Sequence, residues 1–246
     1  VNYFYQQPRL TFAVKHLLIA IAAVFILQLS ASQFFGIPFS YLFGFSPEGM
    51  LRGFVWQIVT YPFLHGGLTH ILFNCLILFM LGTQMEMRWG TKRFFQYYAV
   101  CAMGGALLQI LIWLLSMPFS AGFSHSLGSI PIVGASGALY GLFVAFGKLY
   151  GNAQIMVFFM FPMKARHFVI LLASIEIVSA VFYSQNSNVA HLVHLGGLIT
   201  GYLMLKIKGD DLNGKGGWRR RRAMGREEVR SRLNLIVNKD PKDGKY

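Results

Sequence analysis

Residues 132–149 read IVGASGALYGLFVAFGKL. The run carries one charge, Lys148, at its end, and is rich in glycine. A helix needs about 20 apolar residues, at about 1.5 Å each, to cross roughly 30 Å of hydrocarbon. This run is close to that length. It also contains Ser136, whose hydroxyl is costly in hydrocarbon unless it has a purpose or a partner.

Working outward, five more apolar stretches lie near 14–31, 68–87, 94–116, 167–184 and 189–207. The chain is 55% hydrophobic and 13% charged, against about 25% charged in a soluble domain, and its mean hydropathy is +0.51. The fourth and sixth stretches are short and Gly-rich, as suits central helices that pack closely. The net charge of +13 does not point to nucleic acid, because 13 of the 22 Lys and Arg lie between Lys206 and Lys245. Cys75 and Cys101 fall in apolar runs, so no disulfide framework is expected. The first stretch lacks a small-residue cleavage site and reads as a retained helix. An all-α membrane protein of six transmembrane helices is predicted, with residues 1–208 as the membrane domain and 209–246 as a basic cytoplasmic tail.

Basic residues collect on the cytoplasmic side. With a cytoplasmic N-terminus, that side holds Arg9, Lys15, Arg88, Lys92, Arg93, Lys148, Lys164, Arg166 and the tail, and only Arg52 lies outside. Six spans with both termini cytoplasmic follow. The aromatic loop 32–67 is broken by Gly36, Pro38, Gly44, Pro47, Gly49, Gly53 and Pro62. It is expected either in the membrane interface or packed on the bundle. The tail, with Arg219–Arg222 and a short helix expected over 225–237, suits anchoring to anionic lipid.

Three spans place polar groups at similar depth below the outer surface. His70 and Asn74, at i and i+4, share a face of the second. Ser136 lies about five residues into the fourth, and His194 about five into the sixth. Imidazole is the usual base for a serine nucleophile, and the oxyanion that forms needs pre-placed donors. The Asn74 amide, a His70 ring N–H and the Ser136 backbone N–H are candidates. No Asp or Glu stands at that depth, so a Ser–His dyad is expected, not a triad. Tyr140, four residues after Ser136, is placed to hold the imidazole. Gly134 and Gly137 clear space around Ser136, while Gly137, Gly141, Gly197 and Gly201 form small-residue steps that let two helices approach. Taken singly, such a serine is more often a packing residue, such a histidine more often structural or a proton relay, and Tyr140 an interfacial ring. Their coincidence at one depth is what carries the catalytic reading.

In HGGLTHILFN (65–74), GASGALYG (134–141) and AHLVHLGGLITG (190–201), in their order and spacing, the chain resembles the rhomboid family of intramembrane serine proteases. The likeness covers about residues 14–207. It implies a six-helix rhomboid-like bundle with Ser136 as nucleophile and His194 as base. It further implies His70 and Asn74 at the oxyanion, Tyr140 against the catalytic ring, and His191 as a neighbour only. Gly82 and Glu86 match a structural Gly-x-x-x-Glu element. The resemblance implies cleavage of transmembrane protein substrates near the outer face, without cofactor or metal. In the loop, Trp56-Gln57 stands where the family commonly has Trp-Arg, so loop anchoring is expected to suffer.

Glu176 lies mid-way along the fifth stretch with no obvious partner. It reads as a protonated structural group, or alternatively as a residue tuning a lateral gate. Three rival functions remain. A histidine metal site at His65 and His70, or at His191 and His194, lacks H-E-x-x-H and any nearby carboxylate. A non-catalytic binder or chaperone on this fold would generally lack the serine or the histidine. A transporter would be expected to show an inverted repeat. The expected location is the inner membrane of a bacterium.

Overall fold

The computed structural model describes residues 9–119, 121–157, 160–182 and 188–207. The basic tail and the helix expected over 225–237 lie outside the described residues. The chain runs α1 (Phe12–Phe35), α2 (Phe39–Phe43), α3 (Pro47–Leu51), α4 (Gln57–Thr60), α5 (Leu68–Ile77), α6 (Thr83–Trp89), α7 (Thr91–Ser116), α8 (Ala121–Ser129) and α9 (Ser136–Leu149). A two-stranded antiparallel ribbon follows, β1 (Gln154–Val157) and β2 (Phe161–Lys164), then α10 (Ala165–Phe182) and α11 (Asn188–Ile207). The ribbon is an element the hydropathy pattern did not reveal.

A helix lies over each of the six apolar stretches. Among the described residues, four are long and apolar enough to cross a membrane: Phe12–Phe35, Leu68–Trp89, Thr91–Ser116 and Ala190–Ile207. The second is α5 and α6 run together through a π-helical turn at Leu78–Gly82. Their outer faces expose Ile19, Ile26, Leu72, Leu107, Leu111 and Ile199, the surface that hydrocarbon covers.

α9 is at the centre, packed on α7 and α11. A Cβ on Gly197 would collide with the Gly137 carbonyl, and one on Gly201 would stand 2.9 Å from the Gly141 Cα. The small-residue steps therefore face each other, and backbone meets backbone.

The loop 32–67 forms no long helix, only three short α-helices and a 3-10 turn at Tyr61–Phe63. It buries Phe45, Tyr61 and Leu64 while exposing Phe34, Phe35, Leu51 and Val59. Gln57, fully buried, anchors it: its Nε2 donates to the Tyr41 carbonyl at 2.9 Å and its Oε1 accepts from the Ser46 N–H at 3.2 Å. Replacing the usual arginine thus changes how the loop is held without releasing it, because an amide supplies both a donor and an acceptor. At the other end of the bundle, Glu86 caps α1. Its carboxylate accepts from the Thr11 hydroxyl at 2.5 Å and the N–H groups of Ala13 and Val14 at 2.8 and 3.0 Å, donors that a helix start leaves unpaired.

Candidate active site

The nucleophile segment is placed by the loop. Phe45 and Ile132 exchange backbone hydrogen bonds of 2.9 and 2.7 Å in an isolated bridge, and the Gly134 N–H donates to the Tyr61 carbonyl at 3.0 Å. Gly134 has φ +119°, a conformation strained for any other residue. A helix cannot begin until this bridge and turn are passed, so α9 opens at Ser136. This corrects the expectation that Ser136 lies five residues inside a helix beginning near residue 132. The serine is at a helix N-terminus, where free N–H groups and the helix dipole favour negative charge.

His194, inside α11, reaches the serine directly: Nε2 and Ser136 Oγ are 2.8 Å apart. The Tyr140 ring stacks on the imidazole, with centroids 4.2 Å apart and planes 12° from parallel. His70 lies near the serine. A Cβ on Gly134 would come within 2.8 Å of His70 Nε2 and 3.8 Å of Ser136 Oγ, so the missing side chain leaves room for that ring beside the hydroxyl. The Gly66 N–H donates to His70 Nδ1 at 3.3 Å. An accepting Nδ1 puts the neutral ring's proton on Nε2, toward the serine. Buried Asn74 donates from Nδ2 to the His70 carbonyl at 2.8 Å, which fixes its amide on the His70 face of α5.

The other side of His194 holds a group the sequence reading missed. Glu176, on α10 and 4% exposed, has its Oε2 2.6 Å from His191 Nδ1. Its Oε1 accepts a short hydrogen bond from the Tyr140 hydroxyl and lies 3.1 Å from His194 Nδ1. That last distance suits an ion pair, although its angle falls short of a hydrogen bond. Glu176 therefore has three partners, and the premise that no carboxylate reaches His194 is corrected. His191 is more than a bystander, because it grips the same carboxylate. Glu176, His191 and His194 each offer one ligand atom within 4.8 Å of the others, a donor set that a cation such as zinc accepts. The statement that no carboxylate lies near this histidine pair is likewise corrected. The sequence held only a partial hint: His191 and His194 stand at i and i+3, on one face of a helix that follows the apolar stretch carrying Glu176, and nothing in it said which way that carboxylate turns.

The family model described as Rhomboid domain matches residues 52–210, a segment holding Ser136, His194, His70, Asn74 and Glu176. The chain belongs to the rhomboid family. Among its relatives, the rhomboid YdcA of Bacillus subtilis (strain 168) is 30% identical over 158 residues, covering 63% of this chain and 68% of YdcA. Rhomboid protease GluP of the same organism is 26% identical over 199 residues, 80% of this chain and 35% of GluP. Rhomboid protein 1, mitochondrial, of Saccharomyces cerevisiae is 30% identical over 147 residues, 60% of this chain and 40% of that protein. The chain thus spans about two thirds of the first relative and well under half of the other two. As a rhomboid with four helices of spanning length among the described residues, it is an integral, multi-pass membrane protein, and relatives such as GluP are named proteases.

Proposed function

We propose that this rhomboid is a serine endopeptidase that hydrolyses peptide bonds of transmembrane protein substrates near the outer membrane face. The observation that carries this reading is the 2.8 Å contact between Ser136 Oγ and His194 Nε2. His194 takes the hydroxyl proton as Oγ attacks the substrate carbonyl carbon, then delivers it to the leaving amine nitrogen. The resulting acyl ester on Ser136 is hydrolysed by water, activated by the same imidazole. The oxyanion is met by the His70 Nε2–H, by the Asn74 amide and by the free N–H groups that open α9. Tyr140 keeps the imidazole in plane with the attack by stacking on it. Neither a cofactor nor a metal takes part in these steps.

In this reading residues 1–208 form a membrane domain of six spans, with both termini cytoplasmic and the 209–246 tail beside the inner leaflet, in a bacterial inner membrane. The charge asymmetry supports this orientation, since 21 of the 22 Lys and Arg then lie inside, Arg52 being the exception.

The test is cleavage of a single-span reporter in proteoliposomes by the native chain and by folded Ser136→Ala and His194→Ala. Loss of cleavage in both variants is expected. Cleavage that survives Ser136→Ala would remove the serine mechanism, and an inactive native chain would favour a binding role.

A further inference from the structure

Resting on that reading, we propose that Glu176 is a positioning residue for His194, so that the Ser136–His194 pair is completed by a carboxylate carried on α10. For His194 Nε2 to accept from the Ser136 hydroxyl, the ring proton must sit on Nδ1. Among the described residues, Nδ1 is buried without a hydrogen bond of good angle, yet Glu176 Oε1 lies 3.1 Å from it. Contacts of this kind are often loose in the resting enzyme and tighten once substrate is bound.

The carboxylate is itself held from two sides. His191 Nδ1, 2.6 Å from Oε2, fixes one oxygen, and the Tyr140 hydroxyl donates to the other. Tyr140 thereby does two jobs: its ring stacks on His194 and its hydroxyl aims the group facing His194 Nδ1. Helices α9, α10 and α11 meet at this one carboxylate. A merely buried acid would need only enough hydrogen bonds to satisfy it. This one also points an oxygen at the nitrogen of the catalytic ring that has no other use.

In the reaction, the proton leaving Ser136 Oγ goes to His194 Nε2 and then to the leaving nitrogen. Glu176 neither gains nor loses a proton. It holds the Nδ1–H tautomer and faces the imidazolium while that cation exists, in surroundings where an unmatched charge is costly.

The experiment measures kcat and KM on the single-span reporter in proteoliposomes, with melting temperature, for the native chain, Glu176→Gln and Glu176→Asp. Glu176→Gln is expected to lower kcat about 10- to 1,000-fold, below the roughly 10⁴-fold of a fully buried triad carboxylate, with KM and melting temperature close to native. Glu176→Asp, which keeps the charge, is expected to recover part of kcat. Native kcat in Glu176→Gln overturns the inference, as does a fall in kcat that tracks a fall in melting temperature without recovery in Glu176→Asp. Should Glu176→Gln fail to fold, Glu176→Asp alone decides: lowered kcat at native KM and melting temperature supports the role, and native kcat overturns it. Inactivity of the native chain would instead count against the protease reading on which the inference rests.

Discussion

The Gly137 carbonyl on α9 occupies the space that a Cβ on Gly197 of α11 would need. This contact sets the separation of the helices that carry Ser136 and His194, so it sets the 2.8 Å between their side chains. Gly197→Ala must push the two backbones apart. The expected result is a loss of about 1–3 kcal/mol, as for overpacking in a core, with cleavage falling further than stability. Thermal melting in detergent and turnover in proteoliposomes check both parts.

Tyr140→Phe keeps the ring over His194 and removes only the hydroxyl that donates to Glu176. A decrease in kcat smaller than that of Glu176→Gln is expected. Tyr140→Ala, which removes the stack as well, should cost more. Equal activity in the native chain and Tyr140→Phe would assign the ring, and not the hydroxyl, the whole of its contribution.

Gln57→Leu would leave the Ser46 N–H and the Tyr41 carbonyl without the partners they now have. Buried groups left unpaired cost about 1–3 kcal/mol each. The loop ties Phe45 to Ile132 and Tyr61 to Gly134, so activity should fall with the melting temperature. Gln57→Glu would turn an acceptor oxygen toward the Tyr41 and Leu42 carbonyls and bury a charge without a partner, so it is expected to cost at least as much.

His65 lies in the loop before α5, fully buried, and burial together with the His70 ring 5.0 Å away pushes its pKa down to about 4 from 6.5. The folded state therefore prefers the neutral ring. The stability this represents is fully present above pH 6.5 and is lost as pH falls toward 4. Melting temperature measured from pH 7 to pH 4 should decline in the native chain, and less steeply in His65→Gln. Parallel curves would assign the acid sensitivity to other groups.

A chelator should leave turnover unchanged, because each proton transfer in the proposed mechanism runs between Ser136, His194, water and substrate. Activity lost with chelator and restored by zinc would instead give the Glu176, His191 and His194 cluster a cation during catalysis.

The positions of the long helices were readable in the amino acids, because a backbone inside hydrocarbon must satisfy itself locally and each apolar run does so as a helix. Ser136, His194, His70 and Asn74 stood out as candidates too, since a polar group in such a run is conspicuous for its cost, and the contact between Ser136 and His194 is the part that the structure adds. What surrounds Glu176 was not readable. Tyr140 and His191 are 36 and 15 residues from it, and they meet it only through the rotation of α9, α10 and α11 about their axes. Hydropathy carries no information about that rotation between apolar helices. The start of α9 at Ser136 has the same origin: a bridge to Phe45, 87 residues earlier than Ile132, delays the helix, and no local signal around residue 132 encodes a partner so distant in the chain.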